Sequence, residues 1–198
     1  MIEYGLISKL DASVIEQILE LICEDFSETI SYCEIGVYNG KTSEGVKKFL
    51  DQQKRQSVIT GIENFANNEK LVFFPIDGNL IAGNSSEVYN LLDDESQHLI
   101  FIDGNHSFPS VVSDFYCYSD KVKVGGYLAF HDTGPHIKEF KDYQGMGSFK
   151  DPDMYISVRK ALSKLGLLEN KLEAWDLIAD EWDEKNEAGG VCVFKRIK

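Results

Sequence analysis

Residue types able to do acid–base or metal chemistry gather at a few points of this chain, and each point follows an apolar run. Asp103-Gly104-Asn105-His106 closes the run at 98–102 (HLIFI), His131-Asp132 closes 127–130 (YLAF), and Glu63 closes 57–62 (SVITGI). Carboxylate oxygens suit hard divalent cations, and a histidine titrates near neutral pH, as a proton-transfer group must. The plain alternatives are a DGxH turn that binds ligands without a metal and an Asp132 that caps a turn. A fourth point differs in kind. Residues 31–35 run into Gly36, Gly40 comes four positions on, and 41–50 reads as a helix. Glycines at both ends of such a turn let the backbone approach a ligand, and the free amides of Lys41, Thr42 and Ser43 suit an anionic group. The same pattern equally suits an ordinary strand-to-helix turn.

The elements that must position these points alternate along the chain. Residues 11–26 carry Val14, Ile15, Ile18, Leu19, Leu21 and Ile22 at helical spacing, with Asp11 or Ser13 as cap. Strands are expected at 31–35, 57–62, 79–82, 98–102 and 127–130, and helices at 41–50, after a Gly83-Asn84-Ser85-Ser86 turn as far as Leu92, and at 109–118. Residues 67–77 read as one short helix with Phe73 and Phe74 inward, and Gly125-Gly126 as a turn. A helix with Asp151 as cap and Pro152 in its first turn ends before Gly166. Two late strands, 172–179 and 190–197, flank the acidic turn DEWDEKNEAGG, which leaves no room for a helical crossover. They are expected to pair as an antiparallel hairpin at the sheet edge. The sum is an α/β chain with a doubly wound, mostly parallel seven-stranded sheet. In such a sheet ligands bind beyond the C-terminal strand ends, which is where the polar points lie.

At 198 residues, with 43% hydrophobic and 12% aromatic content, the chain suits one domain, 1–198, with an N-terminal helical segment over 1–30. Residues 133–150 are polar and glycine-bearing, long enough for an insertion or lid. A formal charge of -13 argues against a nucleic-acid partner, which needs clustered Lys and Arg. The N-terminus lacks a signal-peptide pattern and no apolar run spans a bilayer, so a cytoplasmic protein without membrane contact is expected. Cys23, Cys33, Cys117 and Cys192 form no CxxC pair, and buried free thiols are expected. The glycines Gly36, Gly40 and Gly45 do not make the GxGxxG of dinucleotide sites.

The run EIGVYNGKTSEGV, Glu63 and the stretch FIDGNHSFPSVVSDFYCYSDKVKVGGYLAFHDT together resemble class I S-adenosylmethionine-dependent methyltransferases. Within these, the chain is most similar to a bacterial branch with macrocin O-methyltransferase and cephalosporin-hydroxylase-like proteins. The resemblance implies a Rossmann-like methyltransferase fold and S-adenosylmethionine as cofactor. It assigns the methionine portion to Gly36 and Gly40, with the Thr42-Ser43 helix end at its carboxylate, and the ribose hydroxyls to Glu63, and it counts Glu34 and Tyr38 among the cofactor-binding residues. Asn84 and Ser85 fall at the adenine turn, where Asn84 replaces the family's acid. The resemblance also implies that Asp103 faces the sulfonium region. In metal-dependent relatives the positions of Asp103 and Asp132 hold Mg²⁺, and His131 beside them either joins as a ligand, which shifts preference towards Mn²⁺ or a transition metal, or stands behind the ligands and supports them. His106 falls where relatives keep a base that removes the acceptor proton.

The implied reaction is methyl transfer from S-adenosylmethionine to a hydroxyl of a small-molecule acceptor, with divalent-metal assistance. The competing readings are an NAD(P)-dependent oxidoreductase on the same sheet and a non-catalytic cofactor-binding module. The acceptor's identity and homo-oligomerisation stay open. Acceptor specificity is assigned to the N-terminal segment and to residues 133–150.

Overall fold

The first helix, α1 (Lys9–Asp25), starts at Ser8 rather than at the expected Asp11 or Ser13. Ser8 accepts from the Asp11 amide at 3.1 Å while the Asp11 carboxylate accepts from the Ser8 amide at 3.1 Å, a reciprocal cap that satisfies two donors of the first turn. The structure is a computed structural model, and it describes residues 2–5, 7–65, 73–134, 158–183 and 189–198. After α1 come β1 (Ile30–Ile35), α2 (Lys41–Gln52), β2 (Ser57–Glu63), β3 (Asn79–Ala82) and a single helical turn α3 (Ser85–Val88). Then follow β4 (Gln97–Ile102), α4 (Phe108–Tyr118), β5 (Val122–His131), α5 (Val158–Leu165), β6 (Trp175–Glu181) and β7 (Val191–Arg196).

The seven strands form one sheet in the order β3-β2-β1-β4-β5-β7-β6. Strands β1 to β5 pair in parallel, and β7 runs antiparallel to both β5 and β6, so one strand is reversed as expected. The order reverses between β1 and β4: the chain winds outward through β2 and β3, then returns to the other side of β1. That reversal opens a crevice between the ends of β1 and β4.

Alternation along the strands builds a core on each face. Tyr32, Leu99, Phe101, Tyr127 and Ala129 pack beneath Ile15, Leu19 and Ile22 of α1 and Val46, Phe49 and Leu50 of α2. Their neighbours Cys33, Ile35, Ile100, Ile102, Leu128 and Phe130 pack with Val111 and Phe115 of α4 and Ala161 and Leu162 of α5. Burying each large aliphatic or aromatic side chain is worth about 1.5–3 kcal/mol, so the two layers anchor the helices to both faces of the sheet.

Three local expectations are revised. Gly125-Gly126 lies inside β5 rather than in a turn, where the β4–β5 register shifts between Gln97 and Leu99. Gly125 has φ +86, and a side chain on Gly126 would sit 2.9 Å from the His98 carbonyl, so the pair is a bulge in a long strand. Of the stretch expected as a helix over 67–77, residues 67–72 lie outside the described residues, and 73–77 form bends and a turn; Phe73 is exposed, and Phe74 lies against Gly40, Gly61 and Gly78. Trp175, not Leu172, begins β6. The expected helix start at Asp151-Pro152 and nearly all of the 133–150 segment lie outside the described residues. Gly166, at φ +80, ends α5 as expected. The four cysteines are free, but only Cys33 and Cys192 are buried; Cys23 and Cys117 are half-buried. Among the described residues no helix is long and apolar enough to cross a membrane.

Candidate active site

Strand register puts the separate polar points in one row. Ile35 pairs with Ile62 on one side and with Ile102 on the other, and Ile102 pairs with Phe130. The next residues along these strands are Glu63, Gly36, Asp103 and His131. Neighbouring strands lie about 4.8 Å apart, so the row spans about 14 Å of the sheet's C-terminal edge.

The glycine turn joins this row because its backbone cannot carry a side chain there. At Gly36, φ is +85 and a Cβ would lie 2.3 Å from the Asp103 carbonyl oxygen. The end of β1 therefore rests directly on the DGNH turn. From the other side Glu63 accepts the Tyr38 amide on Oε2 at 2.8 Å and the Phe65 amide on Oε1 at 3.1 Å. Tyr38 itself is exposed, with φ +51, beside that carboxylate. Each Glu63 oxygen retains a second lone pair for a further donor.

The start of α2 differs from its sequence reading. Gly40 at the N-cap position has no side chain, and Glu34 of β1 reaches across instead: the Ser43 hydroxyl donates to it. The Thr42 hydroxyl donates to the Tyr4 carbonyl at 3.0 Å, and the Lys41 amide donates to Asn39 at 3.2 Å. Glu34, Thr42 and Ser43 are buried, so their side chains support the turn from beneath rather than facing the edge. Burial pushes the Glu34 carboxyl up to about 8, although the Ser43 hydrogen bonds pull the other way.

At the expected adenine turn, Asn84 is exposed and makes no cap bond, and Ser85 opens α3. The Ser85 hydroxyl donates to Asp114 at 2.6 Å, and the Tyr118 hydroxyl donates to the Ser85 carbonyl at 2.8 Å. Asp114 is buried, which raises its carboxyl to about 6. This residue was not anticipated, although an acid on the apolar face of Val111, Phe115 and Tyr118 is the signal that marks it.

On the other side of the crevice the two histidines face the two aspartates. His106 Nε2 lies 3.2 Å from Asp103 Oδ1 and 3.4 Å from Asp132 Oδ2. His131 Nδ1 lies 3.1 Å from Asp103 Oδ1 and 3.5 Å from Asp132 Oδ1. Burial alone would raise the Asp103 carboxyl, but the charges and hydrogen bonds of His131 and His106 hold it well below the usual range. Burial likewise works against a charged His106 and His131, and the facing carboxylates overcome it and raise both. Asp132 takes φ +54, an uncommon backbone for a non-glycine residue. The C-terminal hairpin holds it there: the Thr133 and Gly134 amides donate to Gly190 and Gly189 at 3.3 and 3.0 Å. Arg159 braces the same corner, donating to the Thr133 carbonyl at 3.2 Å and pairing with Asp180 through two 2.8 Å bonds.

One member of this cluster escaped the sequence reading. Asp11 of α1 is fully buried, and its Oδ2 lies 3.3 Å from His131 Nε2. Its place in line with Val14, Ile15 and Ile18 is the clue, since an acid on an apolar helix face needs a buried partner. Burial opposes ionisation of Asp11, and the His131 hydrogen bond and charge outweigh it and lower its pKa.

The donor set fits a divalent cation. One ligand atom each from Asp103, His131 and Asp132 lies within 4.8 Å of the others, a set of two oxygens and one nitrogen.

A family model described as "Methyltransferase domain" matches residues 33–133, from the middle of β1 to just past β5. Among curated proteins, an uncharacterised protein of Acanthamoeba polyphaga mimivirus is 27% identical over 130 residues, covering 58% of this chain; the match spans 57% of that relative's length. Among solved structures, a Corynebacterium glutamicum protein superposes with a TM-score of 0.65 at 16% identity, over 96% of this chain and 83% of its own. The O-methyltransferase NovP gives 0.62 at 12% identity, over 95% and 80%. The mycinamycin-pathway methyltransferase MycE, in complex with Mg, SAH and mycinamycin VI, gives 0.51 at 16%, over 85% of this chain and 45% of its own. With the family match spanning half of the chain, the chain belongs to the methyltransferase-domain family, and it shares its fold with the solved methyltransferases NovP and MycE.

Proposed function

We propose that this chain methylates a hydroxyl group of a small-molecule acceptor, with a divalent ion held by Asp103, His131 and Asp132. One observation carries the reading: His106 sits between Asp103 and Asp132, 3.2 and 3.4 Å away, at the same strand edge as the glycine turn and Glu63. The edge thus offers a cofactor half, from Gly36 to Glu63, and an acid–base half, from Asp103 to Asp132.

In this reading Glu63 accepts the ribose hydroxyls with its remaining lone pairs. The turn at Gly36 to Gly40 takes the methionine portion, and Asn84 and Ser85 flank the adenine. The carboxylate of Asp103 faces the sulfonium, a favourable pairing in a partly buried site. The cofactor supplies an electrophilic methyl group on a positively charged sulfur. His106 takes the acceptor's hydroxyl proton as an oxygen–carbon bond forms in line. The carbon–sulfur bond breaks, and its electron pair stays on a neutral thioether. A bound divalent ion would lower the acceptor hydroxyl's pKa and offset the charge of the two aspartates, favouring His106 in its neutral, proton-accepting form. Mg in the MycE complex and the O-methyltransferase activity named for NovP support the reading by analogy of fold.

The test has two arms. S-adenosylhomocysteine is expected to raise the melting temperature and NADH is not, because a ligand that binds only the native state stabilises it. Methyl transfer to a panel of hydroxylated acceptors should then be lost on EDTA treatment and restored by Mn²⁺ or Mg²⁺. His106→Ala should lower kcat about 10²–10⁴-fold while leaving S-adenosylhomocysteine affinity unchanged. Stabilisation by NADH alone would overturn the methyl-transfer reading, and full activity after metal removal would overturn the ion's part in it.

A further inference from the structure

The identity of His131 raises a question that the proposed reaction does not answer. Two aspartates already offer oxygen, so an imidazole between them needs a reason to be there and a means of being held. Its ring is fixed at both nitrogens: Nδ1 faces Asp103 and Asp132 at 3.1 and 3.5 Å, and Nε2 faces Asp11 at 3.3 Å from the opposite side. Asp11 comes from the N-terminal helix, 120 residues away in sequence. Phe101 packs its ring against the imidazole at 5.9 Å between centroids, which restricts rotation of the ring.

Charge counting separates a strut from a binding site. Asp11, Asp103 and Asp132 bring three negative charges, whereas His106 and His131 bring at most two positive ones. Among the described residues this leaves a partly buried edge with excess negative charge, which is costly, and a simple histidine–acid strut would need one acid rather than three. In addition, Asp11 Oδ1 is buried and has no hydrogen-bond partner among the described residues. Nitrogen donors that bind metals almost always give their other N–H to a carboxylate or carbonyl, which sets the tautomer and the ring's direction.

We infer that Asp11 is a positioning residue for the candidate cation site: it accepts the Nε2 proton of His131 and thereby presents Nδ1, with Asp103 and Asp132, to a first-row transition ion rather than to Mg²⁺. This rests on the ion assigned to the site under the proposed function. An imidazole donor favours such ions over magnesium, which prefers oxygen and water. The N-terminal helix thus takes part in the site, although its sequence reads only as a packing element.

The test is direct metal binding to the full chain, without acceptor or turnover. Wild-type protein is titrated with Mn²⁺, with Mg²⁺ as competitor, and nitrogen coupling to bound Mn²⁺ is read by pulsed electron paramagnetic resonance. The expected result is preferential Mn²⁺ binding with one histidine-nitrogen coupling. Asp11→Ala should weaken Mn²⁺ about 10–100-fold, and Asp11→Asn, which keeps the volume but not the charge, should weaken it in the same direction. Because Asp11 also caps α1, Ser8→Ala is the control. It breaks the cap alone, so it should lower the melting temperature yet leave Mn²⁺ affinity and nitrogen coupling as in wild type. Wild-type affinity in both Asp11 variants, or Mn²⁺ bound without nitrogen coupling, overturns the role of Asp11 while leaving an ion on the aspartates. Absence of Mn²⁺ and Mg²⁺ binding to wild type overturns the ion itself, and this inference with it.

Discussion

Replacing Glu34 by Gln offers a quantitative check on how the glycine turn is supported. Glu34 is 1% exposed at the end of β1, and burial raises its carboxyl from an ordinary 4.5 to about 8. Between those two values the unfolded chain has released the proton and the folded chain has kept it. Stability therefore falls as pH rises from about 4.5 to about 8, and levels off above. Each pKa unit is worth about 1.4 kcal/mol, so the separation amounts to about 5 kcal/mol over the whole window. That is a large share of the roughly 5–15 kcal/mol that holds an ordinary domain together. Glutamine keeps the size and an acceptor for the Ser43 hydroxyl and cannot ionise. Urea unfolding of both proteins at pH 5, 6, 7, 8 and 9 isolates the effect, because every other titrating group is common to both. The variant should match wild type near pH 5 and exceed its stability progressively up to pH 8, by as much as about 5 kcal/mol. A stability difference independent of pH, or one that favours wild type as pH rises, would refute the argument that Glu34 is held neutral beneath the turn.

Two further outcomes follow from contacts at the same edge. Gly36→Ala would drive a methyl group onto the Asp103 carbonyl at 2.3 Å from a backbone with φ +85. The left-handed backbone alone costs about 1–2 kcal/mol for an L-residue, and the backbone clash adds to it. The denaturation midpoint should fall accordingly, and a wild-type midpoint would show that β1 and the DGNH turn do not meet. Ser85→Ala leaves Asp114 buried without its 2.6 Å donor, a loss of about 1–3 kcal/mol. The double variant with Asp114→Ala should recover part of that loss, and strictly additive effects would argue against the pairing.

Much of the architecture was legible because its signals are local. The apolar runs of β1, β2, β4 and β5 are short and bounded by polar residues, and parallel strands buried on both faces must read that way. The short acidic turn between β6 and β7 leaves no length for a crossover, which settles their antiparallel pairing. Where local signals were ambiguous, packing decided. Gly125-Gly126 suits a turn or a bulge equally, and only the close approach of β4 at His98 selects the bulge. At residues 73–78 Phe74 fills the space over Gly40 and Gly61, a contact with distant segments that no local signal records.

Sequence alone determined which residue types stand at the strand ends, because each apolar run stops where its polar residue begins. It also determined that the strand ends fall on one edge, because parallel pairing with helical crossovers leaves no other arrangement. Tertiary structure decided what those residues touch. Glu34, Thr42 and Ser43 turn inward because Gly40 has no side chain to cap α2, and the buried acid below supplies it. Asp11 reaches His131 across 120 residues because α1 packs on the face of the sheet beneath that histidine. Helical periodicity records that Asp11 lies on a buried face, but it carries no information about the element that face meets.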